Sequence, residues 1–232
     1  MPQFLLPQIT DIGTYNKNTK EQYEAIGRFV ASFEAMVGET RDCIADLLVG
    51  ESPNTHLVQI ALHHSALTAK PLFEIFRTLM VEYLRLPGVT DSELERNSFN
   101  GVLAVIAGEY MKLANIRNTL LHGTWFIGYP DSEDPNSENF LLHKLKPTKS
   151  GLEKEDVPKQ AAEILELQER CEDTRTWIAT LHFCVPRAHR PFESIKDRFV
   201  FANGHWRCQW TDAIPETLPR KSPSPPQQSD GG

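Results

Sequence analysis

The sequence predicts an all-α protein, an antiparallel helical bundle with a small β-hairpin inserted near residues 125–146. Three observations carry that expectation. Apolar residues recur at three- and four-residue steps through several long segments, the period of an amphipathic helix. Gly, Pro and Asn clusters separate those segments. The composition, 40% hydrophobic and 24% charged over 232 residues, is that of a globular chain able to bury one sizeable core. The reading is one helical domain over 19–186 with decorations: an extension over 1–18, an appendage over 187–214 and a tail over 215–232.

The first helix is expected over 19–48, where Tyr23, Ile26, Phe29, Val30, Phe33, Met36, Val37, Ile44, Leu47 and Leu48 form the apolar stripe. Gly50, Pro53 and Asn54 punctuate the chain, and a second helix follows over 55–69. Pro71 either kinks that helix or opens a third at its first turn, where proline is tolerated. The third helix carries Leu72, Ile75, Phe76, Leu79, Met80, Tyr83 and Leu84, and Pro87-Gly88 closes it. Thr90-Asp91-Ser92-Glu93 has the capping-box pattern, so the fourth helix starts there and runs to His122, with Gly123 as its stop. Within it Gly101, Ala104 and Gly108 make a strip of small residues that allows close approach, either by ordinary packing within the chain or as a dimer seam. Residues 125–129 and 140–145 flank an acidic loop and read as a hairpin. Asp156 and Pro158 open a fifth helix with Ile164, Leu167, Cys171, Trp177, Ile178 and Leu181, ending near Pro186. A further strand pair is expected around Asn203-Gly204. The Pro- and Ser-rich end, with Pro219, Pro223, Pro225 and Pro226, reads as a disordered tail.

Composition also excludes. A net charge of -7 argues against a broad polyanion-binding surface, so any RNA contact has to be local. Cys43, Cys171, Cys184 and Cys208 are far apart with no C-x-x-C spacing, which speaks against a zinc site or a secreted disulfide framework and fits a reducing cytoplasm. The adjacent His63 and His64 point to different sides of a helix and are assigned no metal role. No signal peptide or bilayer-length apolar run is present, so no membrane address is read. The serines lack a G-x-S-x-G elbow, and no Gly-rich nucleotide loop occurs. No cofactor is expected. The four tryptophans read as packing residues in preference to base-stacking platforms, and Glu109 as a solvated acid in preference to the partner of a cation at the site.

One segment carries chemistry: Arg117, Asn118 and His122 at the C-terminal end of the fourth helix. At ~100° per residue, Asn118 and His122 share a face, so the amide can orient the imidazole. Arg117, five residues before His122, approaches from the flank. The helix's negative pole favours the protonated ring and Arg117 opposes it, so titration near neutrality is the expectation where the two offset, and which of them wins stays open. A fixed cation beside a titratable histidine suits metal-independent RNA cleavage, the histidine moving a proton while the guanidinium stabilises phosphate charge.

The run Arg117-Asn118-Thr119-Leu120-Leu121-His122, followed by Gly123 and the aromatic Trp125, resembles the R-x(4-6)-H motif of the HEPN superfamily, with its polar residue after the arginine. The order of long helix, helix pair, motif helix and closing helix, roughly residues 19–185, is also similar to that superfamily. The resemblance implies a bundle that dimerises so that two motifs face each other across a metal-independent endoribonuclease cleft. It assigns phosphate binding to Arg117, proton transfer to His122 and ring positioning to Asn118. Members of the superfamily act as toxins, in defence against phage or in RNA processing, and many have lost catalysis and serve as interaction modules. An accessory subunit working with a cognate antitoxin or nucleotidyltransferase is therefore a third expectation.

Overall fold

The computed structural model describes residues 12–50, 55–64, 67–86, 93–122, 124–126, 141–148, 151–155, 160–185, 195–202 and 204–208. Five helices dominate them: α1 (Ile12–Val49), α2 (Thr55–Leu62), α3 (Ala69–Arg85), α4 (Glu93–His122) and α5 (Ala161–Phe183). Three strands, β1 (Thr124–Phe126), β2 (Leu141–Thr148) and β3 (Gly151–Glu155), lie between α4 and α5. A single 3-10 turn (Ile195–Asp197) and the pair β4 (Phe199–Ala202) and β5 (His205–Cys208) follow α5. None of the described helices is long and apolar enough to cross a membrane.

Cross-helix contacts fix the directions. Ser32 and Asp46 of α1 meet Glu172 and His182 of α5, both advancing together, so these two helices run parallel. Lys70 and Phe73 of α3 meet Asn115 and Tyr110 of α4, so α3 and α4 run antiparallel. Glu109 of α4 meets Arg170 of α5, and Glu34 of α1 meets Arg117 of α4. Trp206 lies against Gly101 of α4 while its neighbour Cys208 meets Thr180 of α5, so α4 opposes α5, and the bundle has three co-directional long helices and one opposed, rather than an alternating up-and-down order. Short α2, which lies back along α1 with Gln59 bonded to Asp42, turns the chain so that α3 can set off in the direction of α1.

The core draws on the faces that the apolar spacing predicts, except that Tyr23 and Leu48 of the expected α1 stripe are exposed. Phe29, Phe33, Met36 and Ile44 of α1, Leu72, Phe73, Phe76 and Met80 of α3, and Phe99, Val102, Ile106 and Tyr110 of α4 are all buried. Ile164, Leu167, Cys171, Ile178 and Leu181 of α5 close the cluster. Phe73 stacks on Tyr110 with ring centroids 4.4 Å apart. Ile195 and Phe199 belong to the same cluster, with Trp177 meeting the Phe199 ring edge-on at 6.2 Å, so the segment after α5 contributes to the helical core.

Several boundaries differ from expectation for local reasons. Helix α1 begins seven residues before 19, because residues 12–18 are too polar to show an apolar stripe yet still continue the helix. Its end is a glycine stop: Gly50 takes φ 57 and donates its N–H to the Asp46 carbonyl at 2.8 Å, a conformation a Cβ would disfavour. Helix α2 stops at Leu62 instead of reaching 69. A continuous helix would drive the Pro71 ring into the carbonyl four residues earlier, whereas as the third residue of α3 Pro71 replaces an N–H that has no intrahelical partner anyway. Helix α5 begins at a reciprocal capping box, Gln160 with Glu163, a signal the Asp156 and Pro158 reading passed over. Residues 87–92, 123, 156–159 and 209–232, including the proposed α4 cap, glycine stop and tail, lie outside the described residues.

The strands add one surprise. β1 pairs antiparallel with β2, as the hairpin around the acidic loop predicts, but β2 also pairs with β3, giving the order β1-β2-β3. The β3 stretch GLEKE has too few apolar residues to read as a strand. β4 and β5 pair as expected around Gly204, which takes φ 79.

The small-residue strip of α4 divides. A Cβ on Gly101 would stand 2.7 Å from Trp206 Nε1, so this glycine admits a tryptophan of β5 and not a second helix. Ala104 and Gly108 are exposed, and Gly108 has open space where a Cβ would go. The two glycines should therefore respond with opposite signs. Gly108→Ala should stabilise by roughly 0.5–1 kcal/mol through helix propensity. Gly101→Ala should destabilise by a comparable ~1 kcal/mol despite the same propensity gain, because the indole has to move. Urea melts of the two variants decide this.

Buried Cys171 has its thiol pushed from 9.0 up to about 12, chiefly by desolvation. Burial also raises the Tyr110 phenol above its ordinary 10.0. In both cases the folded state keeps a proton that the unfolded state gives up. Their contribution to stability is therefore complete below pH ~9 and falls as pH rises above it. Cys171 should accordingly resist iodoacetamide at about pH 8.5, where an exposed thiol is half ionised, and react only on unfolding. Mass mapping of alkylated peptides with and without denaturant measures this.

Candidate functional site

The C-terminal half of α4 carries all three predicted residues, of which Arg117 and Asn118 have different surroundings. Arg117 turns toward α1. Its Nη2 donates to Glu34 Oε1 at 2.7 Å, and its guanidinium carbon lies 5.7 Å from the centroid of the Phe33 ring. Consecutive residues on α1 thus give the guanidinium a carboxylate partner and an aromatic face, an arrangement suited to arginine's flat, weakly hydrated head. Arg117 Nε is buried with no hydrogen-bond partner among the described residues, while 27% of the side chain remains accessible. The ion pair is partly screened, since 47% of the Glu34 side chain is exposed. A pair of this kind contributes about 0.5–1 kcal/mol.

Asn118 stands one residue on, about 100° around the helix, and is exposed. A long hydrogen bond, 3.4 Å from Arg117 Nη1 to Asn118 Oδ1, links the two. It stands on the strip that holds Ala104, Gly108 and Asn115, where its amide is exposed. His122 is the last residue of α4, and its side chain lies outside the described residues.

Two neighbours complete the picture. Lys70, in the first turn of α3, donates from Nζ to Asn115 Oδ1 at 2.6 Å, one helical turn before Asn118. It was not singled out in the sequence because nothing in a run of Ala-Lys-Pro-Leu marks a site; only the antiparallel seating of α3 on α4 brings it there. Glu109, expected as a solvated acid, is instead half-buried and bonded to Arg170 of α5 at 2.6 Å. Two turns before Arg117, it ties α4 to α5 and stays out of the Arg117 contact set.

Chemically, the arrangement offers a guanidinium fixed by two α1 side chains, an exposed amide beside it, a second cation on the exposed strip, and a histidine at the helix end. These are groups for binding and neutralising an anion and for moving a proton. Among the described residues, no three His, Cys, Asp or Glu side chains are grouped to hold a metal ion. No family model matches the chain, and no similar curated protein or solved structure is found.

Proposed function

We propose that the chain is a HEPN-like, metal-independent endoribonuclease that works as a homodimer. Arg117 binds and neutralises the scissile phosphate, His122 transfers the proton, and Asn118 positions the imidazole. The observation that carries this reading is the held guanidinium: Glu34 and Phe33 restrict Arg117 while a quarter of it stays accessible next to an exposed amide. A cation already fixed in place loses little entropy when it meets phosphate, and it stabilises charge without reorganising. The net charge of -7 argues against a broad RNA-binding surface and so fits a local contact such as this one.

A second reading is favoured by the same contact seen from the other side. Glu34 neutralises Arg117, so the pair can act as a brace between α1 and α4 in a non-catalytic interaction module, or in an accessory subunit with a cognate antitoxin or nucleotidyltransferase. Arg117→Ala separates the readings. If the pair is a brace alone, the variant loses ~1 kcal/mol of stability and there is no cleavage to lose. If Arg117 serves the phosphate, cleavage falls by far more than that stability change explains.

A further inference from the structure

We infer that Lys70 is a phosphate-binding residue of this site, gripping the RNA backbone on the exposed face of α4 beside Asn118; the inference rests on the ribonuclease reading above. Three features carry it. First, Lys70 and Arg117 are differently engaged. Arg117 gives Nη2 to the Glu34 carboxylate, whereas among the described residues Lys70 Nζ meets only the neutral Asn115 Oδ1, at 2.6 Å. An ammonium with one neutral acceptor keeps its full charge and two donors for a ligand. Second, the placement is on the ligand side. Asn115 and Asn118 are exposed neighbours three residues apart on α4, so the Lys70 ammonium lies within about one helical turn of the amide assigned to the site.

Third, helix stability does not account for the lysine. Lys70 is the second residue of α3, whose first turn has no acidic residue. The positive pole of a helix disfavours a cation there. The Asn115 bond holds the ammonium against α4 and so sets where the charge is presented.

The ligand class is a phosphodiester, approached as a point charge and without base readout. Lys70 would therefore contribute to affinity for RNA of any sequence, and to its salt dependence.

The test uses the full chain and a fluorescein-labelled 2'-O-methyl RNA, which has no free 2'-hydroxyl and is not cut. Binding is followed by anisotropy between roughly 50 and 200 mM salt. Lys70→Ala should weaken binding about three- to tenfold and lower the slope of log affinity against log salt by about 0.7, one single-strand phosphate contact. Lys70→Arg should restore both, because it keeps the charge. Neither variant should melt below the parent, since the helix's positive pole disfavours the cation that Lys70→Ala removes. If the parent binds and Lys70→Ala has the parent's affinity and slope, the lysine assignment is overturned while the ribonuclease reading stands. If Lys70→Ala weakens binding without changing the slope, the lysine acts by packing and the assignment also fails. If the parent does not bind the RNA, both fall together.

Discussion

Replacing His122 with Ala is expected to lower RNA cleavage by about 10²–10⁴-fold, the usual range for removing a general acid or base. The loss should appear in kcat more than in KM, because proton transfer is needed in the transition state and not for binding. Arg117→Ala should lower cleavage by a similar ~10²–10³-fold, as loss of one charge-stabilising donor group does. Its KM should rise too, since the guanidinium holds phosphate in both states. Arg117→Lys should recover only part, because an ammonium cannot keep the Glu34 bond and the Phe33 contact while offering a second edge to the ligand. Far-UV circular dichroism on each variant should show the parent helix content. An activity equal to the parent's in His122→Ala would remove the histidine from the mechanism.

The second large effect is on stability. Phe73→Ala is expected to destabilise the fold by about 3–5 kcal/mol. Phe73 is fully buried, stacks on Tyr110 at 4.4 Å and lies 5.7 Å from the Phe76 ring. Deleting its ring opens a cavity between α3 and α4, where rigid aromatic neighbours cannot collapse to fill it. For a chain of this size the melting temperature should drop by roughly 6–20 °C. Phe201→Ala is the contrast: with 59% of its surface exposed, it should stay within about 0.5 kcal/mol of the parent. Cleavage by Phe73→Ala should also suffer, because α3 brings Lys70 to the site and packs the helix that carries Arg117.

What the sequence makes legible is what local spacing determines. The stripe from Tyr23 to Leu48 and the run that ends at His122 each specify a helix from a few residues, Gly50 marks where the first of them stops, and the structure has both helices there. The Asn203-Gly204 turn is equally local. Features decided by distant partners were not legible. The strand over 151–155 is marked only by its pairing with β2. The same holds at the site. Spacing along α4 put Arg117, Asn118 and His122 together at a helix end, but it gave no hint that Glu34, 83 residues away, meets the guanidinium. It gave none of Lys70 either, since a lysine before a proline has no mark of function until α3 is laid against Asn115. Glu109 was misjudged for this reason: its partner, Arg170, is on another helix.

The most direct test is incubation of the purified full-length chain with single-stranded and transfer RNAs in excess EDTA, with the 3' ends of the products analysed. The account predicts cutting that EDTA does not abolish and that leaves a 2',3'-cyclic phosphate or its opened form. RNA left intact across that panel, or cut only when a divalent metal is restored, would contradict it.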